Sequence, residues 1–132
     1  MNRKKSVWIA ARYFAVFLIG TALGVAGAEW VRGELNEILF LGYLGEGVEA
    51  SEQGDHLKAL ENLYYAKWLD PVDLEPDVLL VDVYEQLDSA EVAAKQRALT
   101  TARIHDKLDS GMDNPWLEKM SKRFPQEDAS PQ

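Results

Sequence analysis

The chain has 132 residues, of which 47% are hydrophobic and 27% are charged, and it carries a formal net charge of −8. These values are those of one small globular domain, and they exclude both a wholly disordered chain and a protein with many membrane spans. The sequence contains no cysteine, which excludes disulfides, thiolate zinc sites, iron–sulfur clusters and cysteine nucleophiles.

The charge is divided unevenly along the chain. Residues 1–12 carry Arg3, Lys4, Lys5 and Arg12 and no acid, whereas residues 29–132 hold 10 basic and 22 acidic side chains, a balance of −12. A body this acidic repels phosphate backbones, so we expect no nucleic-acid partner.

An apolar stretch follows a basic start over residues 1–6. Residues 7–28 carry one charge and would form a helix about 33 Å long, which predicts a transmembrane helix. The bias of basic residues towards the cytoplasmic side places residues 1–6 in the cytoplasm and the remainder of the chain across the membrane. The same stretch also fits a cleaved signal peptide, with its apolar region at 13–25 and a cleavage site at 26–28.

Three glycines in this stretch are candidates for helix packing. Gly20 and Gly24 are four residues apart, and Gly27 follows. Small residues at this spacing allow a second helix backbone to approach closely, including one from a second copy of the chain. The alternative is that these glycines reflect only the general abundance of glycine in membrane helices and signal peptides.

Apolar residues at helical spacing then predict two helices joined by a tight turn. The first helix ends near Gly54, Asp55 is placed to cap the second, and Pro71 ends it. Residues 29–37, before this pair, are a linker or a continuation of the preceding helix.

Residues 40–73 resemble a tetratricopeptide repeat, a pair of antiparallel helices with a period of about 34 residues. The residues that carry the resemblance are Gly47, Gly54, Asp55, Ala59, Leu63, Ala66 and Pro71. The resemblance implies that Gly47, Ala59 and Ala66 allow the helices to approach closely, while Leu63 fills the space beside them. It also implies a non-enzymatic domain that binds a protein partner.

A single helical hairpin leaves its apolar face uncovered, so this architecture requires a neighbour. Residues 97–109 share a basic-Ala-Leu start and a Leu-Asp end with residues 58–70, at a spacing of 39, which predicts a degenerate second repeat. Pro115 begins a short final helix suited to capping the stack. The predicted fold is all-α: an N-terminal transmembrane helix, then about two hairpins and a capping helix over 38–124, and a disordered tail over 125–132.

No motif indicates catalysis, a cofactor or a metal. Neither His56 nor His105 has a serine or a second histidine at the spacing of a nucleophile or a metal site. Four carboxylates between Asp70 and Asp77 could supply oxygen ligands to calcium, but two prolines and a missing glycine depart from the EF-hand loop. We therefore expect a protein that is not an enzyme.

Two groups of side chains are candidates for contact with a protein partner. They are Glu46, Glu49, Glu52, Tyr64 and Tyr65. The tyrosines are adjacent on a helix, so one must face outward even if the other packs with Trp68. The glutamates outnumber the nearby lysines and would attract a basic partner, unless they serve only to keep the domain in solution.

The predicted function is a membrane-anchored scaffold or assembly factor of the bacterial cell envelope. A single helix would hold it in the inner membrane, with a cytoplasmic N-terminus and a periplasmic domain that binds a protein or the subunits of a membrane complex. The alternative is a small structural accessory subunit packed permanently into a larger membrane complex. A periplasmic enzyme is a third class, for which the sequence offers no catalytic constellation.

Overall fold

The structure is a computed structural model that describes residues 3–126, with side chains from residue 18 onward. The described residues form five helices and no strand, so the all-α prediction is confirmed for them. The helices are α1 (Arg3–Glu52), α2 (His56–Leu69), α3 (Glu75–Gln86), α4 (Ala90–Asp109) and α5 (Pro115–Arg123). The chain divides into two compact units between Ile38 and Leu39.

The first unit consists of the N-terminal part of α1. In the part of the chain that the structure describes, no helix is both long and apolar enough to span a membrane. The apolar stretch with described side chains, residues 18–28, ends at Glu29, whereas a span needs about 20 apolar residues. The transmembrane helix predicted over residues 7–28 is therefore wrong on this finding, although side chains 7–17 lie outside the described residues.

Two further sequence predictions concern the ends of the helical domain. Residues 29–37 are helical within α1, the continuation that was one of the two alternatives, and Gly33 does not interrupt the helix. Of the tail predicted over 125–132, residues 127–132 lie outside the described residues.

The second unit begins with a close pair formed by the end of α1 and α2. Gly54 has a φ of +77°, a left-handed conformation that glycine adopts readily. The Asp55 side chain accepts a hydrogen bond from the Lys58 amide at 3.2 Å and so caps α2. Both predictions for this turn are confirmed.

Small residues allow α1 and α2 to pack closely. Ala59 and Ala66 are fully buried, and Leu63 is buried between them. A Cβ placed on Gly47 would lie 2.8 Å from the Leu63 Cδ2 atom, so only glycine fits there without movement. These side chains, with Phe40 and Leu44 from α1 and with Leu80 and Val83 from α3, form the first of two apolar clusters.

A second pair, α3 and α4, follows the first. Helix α2 begins at His56 and helix α4 begins at Ala90. The interval between these two helix starts is also the interval between Ala59 and Ala93, and both alanines are buried. The predicted spacing of 39 would instead match Ala59 with Ala98, which is exposed. That alignment is therefore wrong, because it matches a buried residue of α2 with an exposed residue of α4.

Helix α5 covers the end of the second pair. The Asn114 side chain accepts a hydrogen bond from the Trp116 amide at 2.9 Å, and Pro115 occupies the first helical position. The second apolar cluster lies beneath α5 and consists of Leu74, Val78, Val81, Ile104, Leu117, Met120 and Phe124. The predicted capping helix is thus present.

Candidate functional site

The outer face of α2 carries the largest exposed aromatic cluster of the second unit. Glu61, Tyr64, Tyr65 and Trp68 line one shallow depression, and we call these four residues the α2 surface. The exposed fractions are 45% for Tyr64, 48% for Tyr65 and 76% for Trp68. Their spacing of three, four and seven residues from Glu61 places all four on one side of the helix, opposite buried Ala59 and Ala66.

Neighbouring helices hold the two tyrosines in place. The Tyr43 ring of α1 stacks on Tyr65 with 5.2 Å between ring centroids. The Tyr64 hydroxyl lies 2.9 Å from the Tyr84 hydroxyl of α3. Burial and this hydrogen bond raise the pKa of Tyr84 to about 12. Two of the three rings that line the depression, those of Tyr64 and Tyr65, are therefore held by neighbouring helices.

The structure exposes more of this face than the sequence indicated. One tyrosine was expected to face outward, and both do so to a similar extent. Trp68, for which the sequence left open both packing into the hairpin and exposure in a groove, is the most exposed of the three. Nine residues separate it from buried Ala59, which is half a turn around a helix, and that offset is the signal that could have identified it.

The acidic residues predicted on α1 are exposed. Within the part of the chain that the structure describes, Glu46, Glu49 and Glu52 form no ion pair; Glu49 accepts a hydrogen bond from the Gln53 side chain at 3.0 Å. Glu46 lies one turn after Tyr43, whose ring stacks on Tyr65. Glu49 and Glu52 lie further along α1.

The glycines predicted for helix packing make no close contact in the described chain. Gly20, Gly24 and Gly27 are exposed, and a Cβ added to any of them would meet nothing within 4 Å. Their predicted position in a transmembrane helix is wrong together with that helix. Their predicted role in packing against another helix stays a prediction.

Three of the four carboxylates considered as calcium ligands, those of Asp70, Asp73 and Asp77, have protein partners. Asp70 accepts hydrogen bonds from the amides of Val72 and Asp73 at 3.0 and 3.2 Å, and Asp73 accepts one from the Glu75 amide at 2.8 Å. These bonds shape the loop between α2 and α3. No group of three or more metal-ligating side chains occurs among the residues searched, which are the described ones.

Asp77 is the centre of a buried polar network. Its side chain is 1% exposed and pairs with Lys67 of α2 at 2.6 Å and with Arg103 of α4. Gln96 donates a further hydrogen bond to it at 3.3 Å, and Thr100 donates to its backbone carbonyl at 3.4 Å. Sequence reasoning missed this role, which fastens three helices together.

The basic C-terminal half pairs with the acids of α3. Arg97 contacts Glu85 at 2.5 Å, and Arg123 pairs with Asp82. Both guanidinium groups also lie over the buried Phe124 ring, at 5.1 and 5.2 Å from its centroid. The opposite charges of the two halves of the domain therefore meet across helix interfaces.

Neither histidine lies in a catalytic arrangement of the described residues. The His105 ring is 3.1 Å from the carbonyl oxygen of Phe124 through Nε2, which joins α4 to the end of α5. His56 begins α2, and its Nδ1 atom is buried without a hydrogen bond in the described part of the chain.

No protein-family model, curated protein or solved structure matches the chain. The structure is helical, but no comparison relates it to the tetratricopeptide repeat, and the assignment of that repeat to residues 40–73 stays a prediction.

Proposed function

We propose that the chain is a non-enzymatic protein-binding module that acts as a scaffold or assembly factor, with the α2 surface as its contact with the partner. The observation that carries this proposal is the exposure of three large aromatic side chains on one side of a packed helix. Tyrosine and tryptophan are enriched among the residues that dominate protein interfaces.

The fixed positions of the tyrosines support binding as well. Tyr43 and Tyr84 restrain Tyr65 and Tyr64 before any partner arrives. Association costs free energy for each side chain that it immobilises, and prior restraint reduces that cost. Exposed aromatic side chains held in this way are suited to recognition.

The arrangement of the helices supports a repeat-like scaffold. The interval between the starts of α2 and α4 also relates buried Ala59 to buried Ala93, and it matches the tetratricopeptide period of about 34 residues. Domains built from stacked helix pairs offer extended surfaces to other proteins. We therefore propose a two-pair, tetratricopeptide-like stack with a capping helix.

We place the module in the bacterial periplasm, with residues 1–28 as a signal peptide. The basic start, the apolar region over 13–25 and the Ala26-Gly27-Ala28 sequence support this location. Sequencing the N-terminus of the mature protein tests it. A chain that begins at Glu29 supports the proposal, and one that retains residues 1–28 contradicts it.

Site-directed photo-cross-linking tests the binding surface. We expect p-benzoylphenylalanine at Tyr65 to join the chain to a specific protein in cells, and the same group at exposed Leu99 of α4 to give no such product. The product at position 65 should disappear when Trp68→Ala is added. The proposal would be contradicted if positions 65 and 99 gave the same products, or if the product at position 65 persisted in the Trp68→Ala variant.

A second candidate is a structural accessory subunit of a larger complex. It is favoured by the apolar side chains exposed on the N-terminal part of α1, among them Leu23, Trp30 and Leu35, because large exposed apolar faces mark surfaces that another chain covers. Size-exclusion chromatography of residues 30–132 separates the two candidates. A folded monomer supports the binding module, and aggregation supports the subunit.

A further inference from the structure

The second unit uses one arrangement of arginine twice. The guanidinium groups of Arg97 and Arg123 both lie over the Phe124 ring. Each of these groups also pairs with a carboxylate, that of Glu85 or Asp82. A guanidinium group suits this arrangement because its plane stacks on a ring while its edge donates hydrogen bonds to a carboxylate.

The α2 surface presents the same two components together. Glu61 supplies a carboxylate, and Tyr64, Tyr65 and Trp68 supply ring faces within two helical turns of it. Glu61 is exposed and forms no ion pair or hydrogen bond through its side chain with any described residue.

The basic side chains of the second unit do not complete this arrangement. Lys67, beside Trp68, is held by Asp77 at 2.6 Å. Lys58 lies one turn before Glu61 and forms no ion pair within the described residues. The arginines of this unit are all engaged elsewhere, as the pairs Arg97–Glu85, Arg103–Asp77 and Arg123–Asp82.

We propose that the α2 surface binds an arginine side chain of a protein partner. The guanidinium group pairs with the Glu61 carboxylate and stacks on the aromatic rings, with Trp68 as the main contact. Arginine is favoured over lysine because a guanidinium group is more weakly hydrated and planar. The exposed Glu46, one turn from Tyr43, adds attraction for a basic segment. This inference rests on the proposed function and specifies its ligand.

Short peptides provide a direct test on the full chain. The probes are three N-acetylated tripeptide amides with glycine at both ends and arginine, lysine or citrulline at the centre; citrulline keeps the shape of arginine without its charge. Binding is followed by NMR at the indole N–H of Trp68, identified from its loss in Trp68→Phe. We expect the arginine peptide to shift this signal, the lysine peptide to bind about five-fold more weakly, and the citrulline peptide to leave it unchanged.

A pair of variants isolates the carboxylate. Glu61→Gln should weaken binding of the arginine peptide about five-fold or more. The matched control is Glu91→Gln on α4, an exposed glutamate that pairs with Lys95, and it should bind as the wild type does. The amide spectrum of each variant reports that its fold is retained.

Two outcomes would overturn the inference. One is an equal shift with the arginine and citrulline peptides, which would mean that the aromatic rings accept any side chain. The other is unchanged binding in Glu61→Gln. If either occurs while Tyr65 still cross-links a partner in a Trp68-dependent manner, the arginine inference fails and the proposed function stands. If cross-linking fails as well, both fall.

Discussion

The hydroxyl groups of Tyr64 and Tyr84 lie 2.9 Å apart and join the exposed side of α2 to the end of α3. Burial and the hydrogen bond to Tyr64 raise the pKa of Tyr84 from 10.0 to about 12, against a smaller opposing effect of Lys67. The folded state therefore favours the protonated phenol. Its contribution to stability is complete below about pH 10 and is lost as the pH rises through about 12.

Replacing Tyr84 should change how stability depends on alkaline pH. We expect the free energy of unfolding of the wild type to fall more steeply between pH 10 and 12 than that of Tyr84→Phe, which has no phenol to titrate at this position. Urea denaturation at a series of pH values between 10 and 12 gives the free energy of unfolding of each protein, and hence its dependence on pH. Other tyrosines and lysines titrate here too, so the difference between the two proteins is the readout. Parallel slopes would contradict the assignment.

Removing the Asp77 carboxylate should destabilise the second unit. Asp77→Ala leaves Lys67 and Arg103 without their buried partner, and we expect a loss of about 2–3 kcal/mol, below the full cost of a wholly buried pair because both cations are partly exposed. Urea denaturation gives the value. Exposed Asp106→Ala on α4 is the control and should change stability by less than about 0.5 kcal/mol. A similarly small change for Asp77→Ala would show that the Asp77 network does not stabilise the second unit.

Glycine substitutions in α1 should have opposite signs. Gly47→Ala places a Cβ against buried Leu63, and overpacking of about 1–3 kcal/mol outweighs or cancels the gain in helix propensity of about 1 kcal/mol. Gly42→Ala and Gly45→Ala meet nothing within 4 Å and should raise the melting temperature. If Gly47→Ala stabilised the chain as much as these controls, the close approach of α1 and α2 would be disproved.

The spacing of the helix pairs can be tested by enlarging alanines. Ala93 is the buried counterpart of Ala59 at the interval between the starts of α2 and α4. We expect Ala93→Leu to destabilise the chain by about 1–3 kcal/mol, as Ala59→Leu and Ala66→Leu should. Ala98→Leu, at the spacing of 39, enlarges an exposed position and should have little effect. Thermal denaturation of the four variants decides. A larger loss for Ala98→Leu than for Ala93→Leu would restore the spacing of 39.

Reversing the acidic side chains of α1 should weaken partner binding without unfolding the chain. Glu46, Glu49 and Glu52 are exposed, so their replacement by lysine removes attraction for a basic partner. We expect the lysine variant to give less of the product cross-linked through p-benzoylphenylalanine at position 65. Without the lysine substitutions, the yield of this product should decline as the salt concentration rises. The control is the triple lysine variant of Asp106, Asp109 and Asp113, which changes the net charge equally. Equal yields from both variants would exclude the α1 glutamates from the site.

Local signals in the sequence were sufficient for the turns and helix starts. Asp55 and Asn114 cap their helices as predicted because capping needs only a side chain and amides two or three residues away. The network at Asp77 was not predictable in this way, because its partner Arg103 lies 26 residues further along the chain. Only the packing of α3 against α4 brings them together.

Only part of the candidate site was predicted, because local sequence signals again reveal less than tertiary contacts do. The adjacency of Tyr64 and Tyr65 required one of them to face outward, but Trp68 looked equally suited to the core. Its exposure depends on α3 covering the face of α2 that carries Leu63 and Ala66, a tertiary contact that composition does not reveal. The transmembrane prediction over residues 7–28 rested partly on side chains 7–17, which lie outside the described residues, and the described part of the stretch is too short by itself to span a membrane.

Asp77 also bears on how the domain comes apart. In an array of stacked helix pairs, a terminal pair can fray while its neighbour stays folded. Here the separation of α2 from α3 or of α3 from α4 would break a bond from the same carboxylate, leaving a charge with too few partners. Partial opening at either interface is therefore penalised, which couples the opening of α2, α3 and α4 to one another.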